Sequence, residues 1–159
     1  MTRRQWLGGA AAGAIGALLW RVGLPGAQAA AFPFTLTDAQ WRKRLSPLAY
    51  NVLRHEATER PFTSPLDKEH RAGLFACAGC DQPLFDAKTK FDSGTGWPSF
   101  WQPLPRAVGT SRDFALGYPR TEVHCARCGG HLGHVFNDGP KPTGKRYCMN
   151  GVALKFRPA

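Results

Sequence analysis

From Gly73 onward the chain alternates short apolar runs with Gly, Pro, Asp and Asn punctuation, the pattern of short strands joined by tight turns. The runs are Leu74–Ala76, Pro83–Phe85, Asp113–Leu116, Thr121–His124, Leu132–Phe136 and Val152–Phe156. Before them the period changes. Thr37-Asp-Ala-Gln40 has the form of a capping box and leads into Trp41 and Leu45, four residues apart on one helical face. Ser46-Pro47 reads as a second cap with proline at the first helical position, opening a helix to about Glu56 that carries Leu48, Val52 and Leu53 along one side. Two prolines and many charges between Arg60 and Arg71 predict a connecting segment. The pattern predicts a mainly β protein of antiparallel sheets with short helices at its N-terminal side.

The first 29 residues follow neither pattern. Arg3-Arg4 precede an apolar run from Leu7 to Trp20, rich in Ala and Gly and ended by Arg21. Fourteen residues are too few to cross a bilayer comfortably. Ala27-Gln-Ala29 offers a small-x-small cleavage site. Paired arginines before a weakly apolar core resemble a twin-arginine export signal, which implies a periplasmic or otherwise exported protein with no membrane span after processing. The expected organisation is therefore a signal segment at 1–29, a helical arm at 30–72 and a catalytic β domain at 73–159, arm and β domain forming one unit.

Composition adds little to this picture. Three of the 21 basic residues belong to the signal, leaving 18 against 11 acidic residues, a net +7. The positive charges are scattered rather than clustered, so nucleic acid is not an expected partner.

The five cysteines carry the chemistry. Cys77-Ala-Gly-Cys80 and Cys125-Ala-Arg-Cys128 are two Cys-x-x-Cys knuckles, and Cys148 stands alone. Each pair could form a disulfide outside the cytoplasm, or the four could share one tetrahedral zinc. Two observations favour zinc: there are two copies, and Cys128 runs into Gly129-Gly130, which opposes the helix start that redox pairs use. Forty-four residues separate the knuckles, so a shared zinc would pin two distant hairpins together. Cys148 is then left to react.

Around Cys148, the segment Arg146 to Asn150 reads as a strand, which places Arg146, Cys148 and Asn150 on one face and Tyr147 and Met149 on the other. A guanidinium beside a thiol favours the thiolate, and Asn150 can orient thiolate or substrate. His131 and His134 follow the second knuckle and can donate or accept protons near neutrality. His134 shares a strand face with Phe136. Trp97, held extended before Pro98 on a glycine turn, can cap a core or wall a small apolar pocket.

Taken together, Cys77–Cys80, Lys90–Phe100, Arg120–Cys125, Cys128–Phe136 and Arg146–Asn150 resemble the methionine-R-sulfoxide reductases of the B type, over about residues 36 to 157. The resemblance implies a tent-like arrangement of antiparallel sheets, a four-cysteine structural zinc and Cys148 as nucleophile. It implies His131 and His134 as acid and orienting groups, Arg146 and Asn150 as supports for charge, and Trp97 with Phe136 as the seat of the substrate's S-methyl group. Expected partners are oxidised proteins carrying methionine-R-sulfoxide and a thioredoxin-like reductant, with the enzyme itself a monomer. Many members of that family carry a resolving cysteine two residues before the tryptophan that matches Trp97; this chain has Thr95. The other four cysteines are committed to zinc on this reading, so the oxidised Cys148 needs an external dithiol. A zinc-ribbon binding module and a general thiol–disulfide oxidoreductase are the alternatives. Ribbons space their knuckles more closely, by roughly 15–20 residues, and the oxidoreductase requires one metal-free pair.

Overall fold

The computed structural model describes residues 32–159; the expected signal at 1–29 lies outside them. Helix α1 spans Asp38–Arg44, and the capping box forms: Gln40 N–H is accepted by the Thr37 hydroxyl, and Thr37 N–H donates to Gln40 Oε1 at 2.8 Å. Helix α2 spans Pro47–His55, with the Ser46 hydroxyl accepting from Ala49 N–H and Glu56 ending the helix in the left-handed region at φ 56°. Tyr50, Val52 and Leu53 are buried along α2, and Trp41 is buried on α1. Among the described residues no helix is long and apolar enough to cross a membrane.

Nine strands follow: β1 (Gly73–Cys77), β2 (Pro83–Asp86), β3 (Lys90–Phe91), β4 (Ser99–Phe100), β5 (Val108–Asp113), β6 (Arg120–Cys125), β7 (His131–Phe136), β8 (Arg146–Met149) and β9 (Leu154–Pro158). They form two antiparallel sheets, one in the order β2-β1-β9 and one in the order β3-β4-β8-β7-β6-β5. An aromatic core joins the sheets. The Phe85 ring stacks on Phe100 with centroids 4.3 Å apart, and Phe75 meets Phe100 edge-on at 4.9 Å. All three rings are fully buried.

Two expectations change. Asp113–Leu116 is not a strand: pairing of β5 with β6 ends at Asp113 opposite Arg120, and the residues between them form the hairpin connection. Gly117 sits there at φ 78°, Pro119 has no N–H for the ladder, and Phe114 and Leu116 are exposed. The true strand, Val108–Asp113, has one apolar residue in six. At the C-terminus, Gly151–Ala153 forms a 3-10 turn before β9, so the last strand begins two residues later than the pattern predicts.

Candidate functional site: a sulfur cluster and a thiol cavity

Each knuckle is the turn of a hairpin, the first joining β1 to β2 and the second β6 to β7. The two turns repeat one geometry. Asp81 N–H donates to Cys77 O and Gly129 N–H to Cys125 O, both at 2.9 Å, with Asp81 at φ 62° and Gly129 at φ 66°. The four sulfurs lie within 4.8 Å of one another, with Cys77–Cys128 at 3.8 Å and Cys80–Cys125 at 3.5 Å. A tetrahedral zinc with Zn–S of about 2.3 Å needs sulfurs about 3.8 Å apart. The fit is close, and both of these pairs cross between the knuckles, which is the arrangement of a shared ion. All four thiols are buried, so a dication is also what their joint ionisation requires. Bound there, zinc ties the two hairpins, and thereby the two sheets, together.

The outer face of the large sheet carries different chemistry. Register places Ser99, Cys148, His134, Glu122 and Ser111 directly opposite one another across β4, β8, β7, β6 and β5. Phe136 and Arg146 are opposed in the same way between β7 and β8. Val123 and Cys125 point to the other face, into the core, so the sulfur cluster and this row lie on opposite sides of β6. Gly133 brings β7 close to Cys148: a Cβ there would stand 2.1 Å from the Cys148 carbonyl oxygen. Only glycine permits that approach.

A cavity of about 120 Å³ opens over this row, lined by Thr58, Trp97, Arg120, Gly133, His134, Phe136, Cys148 and Asn150. It is well below the roughly 300–1,000 Å³ of pockets that bury drug-sized ligands and suits the end of one side chain. Cys148, His134, Asn150, Trp97 and Phe136 thus meet as expected. Arg146 stands beside them: its guanidinium lies 4.4 Å from the Phe136 ring centroid and is held by two hydrogen bonds to Asp138, at 2.9 and 2.8 Å. Tyr147 and Met149 face the core, as strand alternation predicts.

His131 reaches the site by an irregularity. Residues three apart on a regular strand face opposite ways. Here Val123 pairs with Gly133 and His124 with His131, leaving Leu132 as an extra residue. Leu132 fills the core, and His131 turns towards His134, with ring centroids 5.4 Å apart. Its Nδ1 lies 2.8 Å from Glu122 Oε1. The imidazoles of His124, 3.8 Å away, and of His131 hold the Glu122 carboxyl far below the usual range, so it is an acceptor and His131 Nδ1 carries the proton. His131 Nε2 is buried with no partner among the described residues. In the same way Asp113, brought down to about 2 by the Ala115 N–H and by His134, accepts from His134 Nε2 at 2.7 Å and from Arg120. Burial lowers the His134 pKa, so at neutral pH its ring is neutral, with a proton on Nε2 and a lone pair on Nδ1.

Burial pushes the Cys148 thiol up, against the neighbouring Thr95 hydroxyl and the charge of Arg146. This corrects the sequence expectation: Arg146 favours the thiolate, but desolvation outweighs it, and the resting sulfur keeps its proton.

Several functional groups were absent from the sequence reading. Glu122 and Arg120 sit at alternate positions of β6, on the histidine face, and that alternation could have revealed them. Asp113, Asp138 and Thr58 have no local signal. Neither has Glu59, which is buried 91 residues from Asn150 in sequence. Its N–H donates to Asn150 Oδ1 at 2.9 Å, its carbonyl accepts from Trp97 Nε1 at 3.1 Å, and its carboxylate accepts from the N–H groups of Gly151 and Val152. One residue thereby fixes both the tryptophan wall and the asparagine.

The SelR domain family model matches residues 45–158. Among the curated relatives are several that carry the name peptide methionine sulfoxide reductase MsrB. The protein of Agrobacterium fabrum is 55% identical over 77% of this chain and 91% of its own. Those of Bradyrhizobium diazoefficiens and Pseudomonas putida are 57% and 56% identical, each over 77% of this chain and over 88% and 92% of their own. With four cysteines in zinc geometry and a lone thiol in a histidine-lined cavity, the chain belongs to the MsrB family of peptide methionine sulfoxide reductases.

Proposed function

We propose that this protein reduces methionine-R-sulfoxide, chiefly in polypeptides, to methionine, with Cys148 as nucleophile. The observation that carries this reading is the Cys148 sulfur in a side-chain-sized cavity, with His134 opposite it in register and Trp97 and Phe136 as walls. The two aromatic walls seat the S-methyl group and exclude water. Cys148 attacks the electrophilic sulfoxide sulfur. The substrate S–O bond breaks, the Cys148 S–O bond forms, the methionine sulfur is reduced and the cysteine sulfur becomes a sulfenic acid.

The raised Cys148 pKa fits this stoichiometry. The thiol proton is the one that the sulfenic acid oxygen ends with, so no proton is drawn from solution. A neutral imidazole with one proton and one lone pair can move it, and His134 has that form at neutral pH. His131, oriented by Glu122, supports the same transfer. Arg146 stabilises negative charge as it develops, and Asn150 orients the substrate.

Regeneration requires an external dithiol, because the four other sulfurs are buried in the zinc cluster and Thr95 stands where a resolving cysteine would serve. With the twin-arginine-type segment at 1–29, the reductant is a thioredoxin-like protein of the envelope, and the enzyme works there as an exported monomer. The test is an assay of both sulfoxide epimers with dithiothreitol, using wild type and Cys148→Ser. Turnover of the R epimer alone, lost in the variant with zinc retained, is expected. Equal turnover of the S epimer, or an active variant, overturns the assignment.

A further inference from the structure

The turn that carries Trp97 also brings three hydroxyl groups to the reactive sulfur. Ser93 Oγ lies 2.8 Å from Thr95 Oγ1 and 2.8 Å from Ser99 Oγ. Thr95 Oγ1 lies 3.8 Å from Cys148 Sγ, within hydrogen-bond range for sulfur. Ser99 is fully buried, directly opposite Cys148 in the β4–β8 ladder, and its hydroxyl reaches the Trp97 carbonyl at 3.1 Å. A hydroxyl both donates and accepts, so this chain runs one way while Ser99 donates to the Trp97 carbonyl and the other way when Ser99 turns to donate to Ser93. It can donate towards an anionic sulfur or accept from a sulfur-bound OH.

A two-cysteine mechanism does not need such a device, since the sulfenic acid is trapped at once as a disulfide. A one-cysteine mechanism leaves it waiting for an outside thiol, open to a second oxidation that gives an irreversible sulfinic acid. We propose that Ser93, Thr95 and Ser99 form a hydroxyl cradle that holds the Cys148 sulfenic acid and lengthens its life until a dithiol arrives. Thr95 touches the reacting atom; Ser93, which bonds to it, and Ser99, which bonds to Ser93, are positioning residues. When the external dithiol attacks, the Cys148 S–O bond breaks, an S–S bond forms, and the oxygen leaves as water with the thiol proton. The cradle rests on the assignment of Cys148 as nucleophile.

The test uses the full chain and one equivalent of N-acetyl-methionine-R-sulfoxide without reductant, followed by timed dimedone trapping and peptide mass spectrometry in the presence of hydrogen peroxide. Thr95→Val keeps the side-chain volume and removes the hydroxyl; Thr95→Ser restores it; Ser93→Ala leaves Thr95 in place but frees it from its partner. The expected result is a sulfenic acid lifetime shortened about three- to tenfold in Thr95→Val, the weight of one hydrogen bond, and less in Ser93→Ala. Sulfinic acid rises in proportion, Thr95→Ser behaves as wild type, and the alkaline limb of the pH–rate profile moves to higher pH only where the hydroxyl is lost. Equal lifetimes in wild type and Thr95→Val overturn the cradle alone. Absence of any dimedone adduct on wild-type Cys148 overturns the Cys148 assignment and the cradle with it.

Discussion

Replacing Thr95 by cysteine converts the one-thiol site into a two-thiol site, and the structure sets the size of the effect. The Thr95 hydroxyl oxygen is 3.8 Å from the Cys148 sulfur, and a disulfide spans about 2.05 Å, a gap within reach of side-chain rotation on a turn. Residues 95 to 148 close a ring of 54 residues. Loop-closure entropy for that length corresponds to about 4 kcal/mol of stabilisation on oxidation. The described part of the chain is 128 residues long, with an unfolding entropy of roughly 0.27 kcal/mol/K, so the melting temperature rises by up to about 15 °C. The assay adds one equivalent of methionine-R-sulfoxide to reduced Thr95→Cys, then reads thiols by alkylation and mass spectrometry and stability by calorimetry. Wild type should show a dimedone-reactive Cys148 and an unchanged melting temperature. The variant should show a disulfide between the introduced thiol and Cys148 without dimedone labelling, reversed by thiol reductant. Both thiols unpaired after turnover would refute the placement of Thr95 against Cys148.

Two further outcomes follow from the sulfur cluster and the carboxylates. Cys125→Ser removes one of four ligands whose zinc affinity, on the order of 10 kcal/mol or more, rivals the whole stability of a domain; metal analysis should find zinc well below one equivalent, with loss of the cooperative thermal transition. The acid limb of stability tests Asp113. Its carboxyl is depressed from 3.8 to about 2, so its contribution is complete above about pH 4 and lost as pH falls through 2. The stability gap between wild type and Asp113→Asn, measured by urea unfolding, should be constant above pH 4 and close towards pH 2; a gap that persists at pH 2 contradicts the ionised pairing with His134 and Arg120.

What could be read from sequence was whatever is written locally. Thr37 and Gln40, or Ser46 and Pro47, state a helix start within four residues, and each knuckle states its turn. The face shared by Cys148 and Asn150 follows from alternation on one strand. The failures share a cause as well. Asp113–Leu116 has strand-like side chains, but its backbone is set by how β5 pairs with β6, and pairing is not local. His131 joins His134 only because Leu132 is the extra residue of a bulge. Asp113, Asp138 and Glu59 act on groups far away in the chain, or across a turn, and no short motif marks them. Even the sign at Cys148 escaped sequence reasoning, since Arg146 was visible and the depth of burial was not.

The opposite placement of the two sulfur sites on one sheet has a consequence for damage. Of the five cysteine sulfurs, four point into the core, 0–3% exposed, and one faces the cavity, so oxidant arriving from solvent meets one cysteine. On the proposed function, that target is also the one cysteine whose oxidation belongs to the catalytic cycle. Among the described cysteines, an enzyme made to repair oxidised sulfur thus presents to the oxidant the one whose first oxidation a thiol can reverse, while the sheet itself shields the sulfurs that hold it together.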